Sequence, residues 1–169
     1  MIKLEIIVLV TMTAIILAFS VAGQTKKNSE TSLSDEDTIR EIVFKKILPE
    51  KTSDIGDLRD FYLSVDDGEN PSSNLLKRFD EYQKKNRVKI KRVSESFISK
   101  NDGDMVLDEI TKKQGILFSV SKLRWKNKDE VKVNAGSYIG NMGSDSCTYI
   151  LKRQNGEWKI VAAEECVVS

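Results

Sequence analysis

Apolar and polar positions alternate with different periods along the chain. Between residues 34 and 48 the period is helical: Ile39, Ile42, Val43, Phe44 and Ile47 fall on one broad face. Ser34-Asp35-Glu36-Asp37 supplies a cap and an acidic first turn, and Pro49 ends the helix. Asp57 to Val65 holds a short strand with Tyr62-Leu63-Ser64-Val65 as its core, broken by Asp66-Asp67-Gly68. Asn70-Pro71 predicts a second helix, with Asn70 as N-cap and Pro71 at the first helical position. Its stripe is Leu75, Leu76, Phe79 and Tyr82, and it dissolves at Gln83-Lys84-Lys85-Asn86.

From Arg87 onward the period becomes that of strands. Arg87 to Ile98 reads as one strand, with β-branched residues at Val88, Ile90, Val93 and Ile98. Asn101-Asp102-Gly103-Asp104 is a turn, followed by a strand or loop over Met105 to Thr111. Gly115 to Trp125 is a strand with Ile116, Phe118 and Val120 on one face and Leu117, Ser119 and Ser121 on the other. Glu130 to Gly140 returns across Asn127-Lys128-Asp129. Ser146 to Arg153 then pairs with Trp158 to Val167 across Asn155-Gly156, a strong hairpin signal. Helices first and a meander after is the α+β pattern, with N-terminal helices packed on one face of a curved antiparallel sheet. No internal repeat or second core is visible, so residues 34–169 read as a single α+β domain.

The first 23 residues stand apart. Lys3 precedes an uncharged run from Ile6 to Ala22, and small residues close it at Ser20-Val21-Ala22-Gly23. This order is that of a cleaved signal peptide, residues 1–23, and it implies a secreted or periplasmic protein. The alternative is an uncleaved anchor at residues 6–22, although a run of 17 residues falls short of the ~20 that a spanning helix needs. Residues 24–33 (QTKKNSETSL) read as a flexible leader.

Export gives meaning to the cysteine count. The 169-residue chain has two cysteines, Cys147 and Cys166, at opposite ends of the last hairpin. An exported protein oxidises such a pair. With Asn155-Gly156 as the loop, Leu151 faces Ile160, Tyr149 faces Ala162 and Cys147 faces Glu164. Cys166 is then a diagonal neighbour, and one bulge or a splayed end near Glu164-Glu165 would bring the thiols together. The chain has no His, which removes catalytic triads, a His general base and His-containing zinc sites. Two cysteines cannot form a four-thiolate metal site. With 27 Lys+Arg against 26 Asp+Glu the net charge is +1, so the molecule is no general polyanion binder.

The C-terminal third carries a resemblance. Gly115-Ile116-Leu117-Phe118-Ser119-Val120, Arg124-Trp125, Glu130-Val131-Lys132-Val133, Gly136-Ser137-Tyr138-Ile139-Gly140-Asn141, Thr148-Tyr149-Ile150-Leu151 and Gly156-Glu157-Trp158-Lys159-Ile160-Val161 follow in order. Over Gly115 to Ser169 this resembles uncharacterised small secreted bacterial proteins, and the last hairpin looks like the end of the nuclear transport factor two-like fold, within the cystatin-like group. The resemblance implies a conical half-barrel wrapped around the N-terminal helices, often enclosing a pocket. Such folds host isomerases, dehydratases, ligand binders and dimerisation modules. The enzymes of that group generally use an Asp–His pair or an acidic base with Tyr; without His, no catalytic residue carries over.

Lys84, Lys85, Arg87, Lys89, Lys91 and Arg92 form a basic run, a candidate patch for anionic surfaces. No aromatic interleaves it for base stacking, so nucleic acid is not the expected partner, and alternation suits a solvated strand face. Trp125, Tyr138, Tyr149 and Trp158 are candidate pocket or packing aromatics. Asp66-Asp67-Gly68 and Asn101-Asp102-Gly103 lack calcium-loop spacing. Ser64, Ser119 and Ser121 have no base to activate them. No cofactor or metal is expected. The expected function is a non-enzymatic module that binds a small ligand or a protein. Its alternatives are an enzyme using Asp/Glu and Tyr in the cone pocket, or an envelope module contacting anionic surfaces, with membrane contact only through an uncleaved N-terminal segment.

Overall fold

A computed structural model describes residues 35–50, 58, 60–141 and 143–169. The expected signal peptide, leader and Ser34 cap lie outside the described residues. Residues 35–47 (α1) are helical, as the apolar spacing predicts, and Ile39, Val43, Phe44 and Leu48 on that face are buried. Strand β1 (Asp60–Val65) follows. The next helix starts two residues later than expected: Ser72 is the N-cap of α2 (Ser73–Lys77), its Oγ accepting the Leu75 N–H at 3.0 Å. The Asn70 side chain instead accepts the Ser94 N–H at 3.1 Å. The helix breaks at Arg78-Phe79 and resumes as α3 (Asp80–Asn86). Phe79 in the break packs edge-on against Phe44, 6.1 Å between ring centroids.

The remaining strands are β2 (Lys89–Arg92), β3 (Ser96–Ser99), β4 (Met105–Asp108), β5 (Ile116–Val120), β6 (Arg124–Asn127), β7 (Glu130–Tyr138), β8 (Ser144–Gln154) and β9 (Glu157–Val168). The main sheet is curved and mixed, in the order β2-β1-β5-β7-β8-β9, with β6 also on β7. It is not wholly antiparallel, because β1 runs parallel to both β2 and β5. The two helices between β1 and β2 form the crossover that a parallel pair requires.

The expected strand over Arg87 to Ile98 splits in two. Glu95 accepts the Arg92 N–H at 3.0 Å and Ser96 donates to the Val93 carbonyl at 2.9 Å, so a local 3-10 turn wins over a continuous ladder. β3 then pairs with β4 in a separate two-stranded sheet. The expected strand over Gly115 to Trp125 splits at Ser121 for a similar reason: its Oγ accepts the Asn134 N–H at 3.1 Å.

The two faces of the main sheet differ. Phe61, Leu63, Ile116, Phe118, Val131 and Leu151 share one face with their in-register partners and bury against α1, α2 and Phe79. This is the helix-covered arrangement expected from the helix-first order. No described helix contributes to the other face.

The last hairpin turns at Asn155-Gly156, both with positive φ (53° and 84°), which Asn and Gly tolerate in a tight turn. Gln154↔Glu157 and Leu151↔Ile160 match the expected register. The pairing then slips twice, between Leu151 and Ile150 and between Thr148 and Ser146, each time adding a residue to β9. Tyr149 therefore faces Ala163, not Ala162. One bulge was expected; two are present, and after both of them Cys166 comes opposite Cys147. The pair forms a disulfide across a Cα–Cα distance of 4.1 Å. Glu165 takes the left-handed conformation (φ 51°) beside it.

Candidate functional site

The face that no described helix covers has an unusual floor. Register places Ser64, Ser119, Gly136 and Ser146 side by side on β1, β5, β7 and β8. A second row beside it holds Ser121, Asn134, Thr148 and Glu164. Alternation sends every one of these away from the core, since Phe118 and Ala135 between them point inward. A Cβ at Gly136 would sit 1.9 Å from the Asp145 carbonyl oxygen, so the first row has no room for a side chain at its centre. Side chains this small leave a trough across the strands.

Three adjoining compartments make up the trough. The first, about 340 Å³, lies over Ser64, Ser119, Ser121 and Asn134. The second, about 560 Å³, shares Ser121 and Asn134 and extends to Lys122, Arg124 and Thr148. The third, about 330 Å³, continues past Thr148 to Lys132, Glu164 and Glu165. Ser64 is only 4% exposed, yet its hydroxyl has no hydrogen-bond partner among the described residues, and it faces the first compartment. The Ser119 and Asn134 side chains are likewise unpartnered among the described residues.

The trough's walls carry charges of both signs. Asp67 lines the first two compartments. It follows Asp66, and both are in the left-handed region (φ 65° and 46°). The Arg40 guanidinium holds Asp66 in place, its Nη2 donating to both carboxylate oxygens at 3.0 and 2.8 Å. Asp tolerates this conformation better than most residues, and such strain gathers at functional sites. Lys122 and Arg124 form no ion pair among the described residues, whereas Lys132 pairs with Glu164 at 3.2 Å. Thr148 Oγ1 donates to Glu165 at 3.4 Å.

A second polar cluster sits where β4 meets β1 and β2. Asp108 is 4% exposed and accepts four hydrogen bonds: from Tyr62 Oη at 2.9 Å, Lys91 Nζ at 2.5 Å, and the Ile110 and Thr111 N–H groups at 3.0 and 2.7 Å. Lys91 also pairs with Asp60 at 3.2 Å. The Lys91 ammonium and the Thr111 N–H hold the Asp108 carboxyl well below the usual carboxylate range. Burial pushes the Lys91 pKa down, but its bonds to Asp108 and Asp60 outweigh this and leave it raised. Burial, and then the bond to Asp108, raise the Tyr62 hydroxyl far above its ordinary value. Asp108 thus stays ionised, Lys91 protonated and Tyr62 neutral. Groups locked in these states clamp the β3–β4 hairpin to the main sheet and are poorly suited to passing protons. A cleft of about 310 Å³ opens beside them, between Lys91, Glu95, Ile110 and Thr111.

The residues singled out from the sequence fall into separate places. Tyr149 and Trp158 are core residues, and Trp125, 42% exposed, packs edge-on against Trp158 at 5.6 Å. Tyr138 lies on the opposite face, in register with Leu117, its hydroxyl donating to the Asp104 carbonyl at 3.0 Å. These four aromatics therefore do not share a pocket, although Trp125 lines the third compartment of the trough. The basic run also divides. Lys84 and Lys85 are exposed on α3, with Lys84 paired to Glu81 at 2.9 Å. Arg87 closes that helix in the left-handed conformation, and Lys89 is exposed. Arg92 reaches Ser73 at 2.9 Å, while Lys91 is neutralised within the Asp108 cluster. The solvated strand face read from alternation is thus interrupted at Lys91, because two carboxylates distant in sequence meet it there.

The trough escaped the sequence reading. With no base beside them in the sequence, Ser64, Ser119 and Ser121 give no signal of nucleophilic chemistry. Their placement opposite Phe118 was visible; their alignment across four strands depends on register. Among the described residues, no group of three or more acidic or cysteine side chains could hold a metal ion, and no helix is long and apolar enough to cross a membrane. No known family, curated protein or solved structure matches the chain.

Proposed function

We propose that this is an exported, non-enzymatic binding module of cystatin-like architecture, whose ligand lies in the trough across the open face of the sheet. One observation carries the reading: Ser64, Ser119 and Asn134, whose side chains have no hydrogen-bond partner among the described residues, together line one compartment of the trough. Side chains left unpaired at the floor of a recess are available to hydrogen-bond a ligand that displaces water from it. Export is supported by the apolar N-terminal run and by the disulfide, which belongs to oxidising compartments. The cystatin-like half-barrel is supported by the packing of N-terminal helices on one face of a curved sheet that ends in long antiparallel strands.

The enzyme alternative would draw on Asp108 and Tyr62, a carboxylate and a tyrosine side by side. Their fixed protonation states argue for a clamp instead. A fragment screen read by amide chemical shifts tests the proposal. Binding should perturb Ser64, Ser119, Asn134 and Thr148 together. Shifts confined to the Asp108 cleft, or to the Lys84–Lys89 surface, would overturn it.

A further inference from the structure

Resting on the trough as a binding site, we infer that its occupant is a glycan segment: an extended, polyhydroxylated chain carrying no net charge. The first argument is hydrogen bonding. The floor offers the Ser64 and Ser119 hydroxyls and the Asn134 amide, all unpartnered among the described residues. Hydroxyls and amides both donate and accept. A sugar hydroxyl does the same, so each floor group can be satisfied whichever way it points. An apolar ligand would instead cover these groups without pairing them.

Shape is the second argument. The compartments adjoin through shared residues, Ser121 and Asn134 between the first pair and Arg124, Thr148 and Glu165 between the second. They run across the strands from β1 to β9. A compact ligand would fill one compartment, whereas a chain of several sugar units engages all three.

Charge is the third. Asp67 stands at one end and Lys122 and Arg124 along the middle, while Lys126 and Lys132 stand with Glu164 and Glu165 at the other end, where Lys132 pairs with Glu164. With both signs spread along the trough, a polyanion would meet Asp67 and Glu165, and a polycation would meet Lys122, Arg124 and Lys126. A neutral chain meets no like charge. A folded protein partner fits less well, because protein interfaces are depleted in serine and enriched in aromatic side chains, and the floor reverses that composition.

Titration of the disulfide-bonded protein with cellotetraose, maltotetraose and tetra-N-acetylchitotetraose, followed by amide shifts, tests this directly. At least one neutral tetrasaccharide should move the Ser119, Asn134 and Thr148 amides, and Ser119→Trp, which fills the first compartment from an exposed position, should weaken it at least tenfold. Asn134→Ala should weaken it several-fold and serves if the tryptophan disturbs folding. A heparin-derived tetrasaccharide and tetralysine run in parallel should leave these amides unmoved. If only a charged chain moves them, the glycan assignment is wrong while the trough remains a binding site. If no chain moves them, the glycan assignment fails; if fragments also leave the trough silent, the binding site fails with it.

Discussion

The two faces of the main sheet come from the same strands, yet they do different work. Phe118 and Ser119 are neighbours in sequence and lie on opposite faces. On the helix side, large apolar side chains interlock with α1, α2 and Phe79, and the surface removed from water holds the fold together. On the other side, Ser, Gly, Asn and Thr stand side by side, with Ser64 and Thr148 covered and Ser119 exposed. The comparison separates stability from recognition: the first face can lose little without unfolding, whereas the second can change at its exposed floor position, Ser119, with little effect on the fold.

The sharpest way to break this contrast is to exchange the expected costs. Phe79→Ala, which empties a fully buried contact with Phe44, should destabilise the protein by about 3–5 kcal/mol in urea unfolding. Asp108→Asn tests whether the open face has its own structural anchor. It leaves the Lys91 charge without its closest partner and should cost about 3 kcal/mol. The acid limb should change too. Asp108 is held below its ordinary pKa, so its contribution is complete above the unfolded value of about 4 and fades as pH falls through the folded one. The variant should therefore lose less stability than the parent between neutral and strongly acidic pH, measured by thermal melting. An unchanged acid limb would show that other carboxylates govern acid unfolding.

Smaller effects follow. Replacing both cysteines with serine releases a link between positions 19 residues apart and should lower stability by about 2–3 kcal/mol. Reducing agent should then shift the parent's midpoint and leave the variant's alone. At the bottom of the scale, Ser119→Ala should fall within about 0.5 kcal/mol of the parent. A cost near that of Phe79→Ala would mean that the trough floor is structural, and the contrast between the faces would collapse.

Much of the helix-covered face was legible along the chain, because one side chain in two or in three to four settles where a strand or helix points. Ile39, Val43 and Phe44 on α1, and Ile116, Phe118 and Val120 on β5, are buried where the periodicity put them. What periodicity cannot carry is how strands align. The parallel placement of β1 between β2 and β5 depends on a crossover rather than on any residue within β1. Lys91 looks like its neighbours Lys89 and Arg92 until Asp60 and Asp108, 31 and 17 positions away, close on it. The trough is the same case: three serines and a glycine become a row only once four strands are in register. The second bulge was hidden for a different reason. Glu165 adopts a positive φ that glycine would have advertised.

Those two bulges also bear on how the molecule behaves among copies of itself. β9 lies at the end of the strand order, and its outer rim meets no other strand among the described residues. Val161, Val167 and Val168 are exposed on this strand. A neighbouring chain that tried to zip onto the rim would need evenly spaced amides and carbonyls. The two extra residues break that rhythm within twelve positions, and Glu164 and Glu165 put charge at the second break. The last strand is long enough to seed polymerisation, but its irregular rim makes it a poor template.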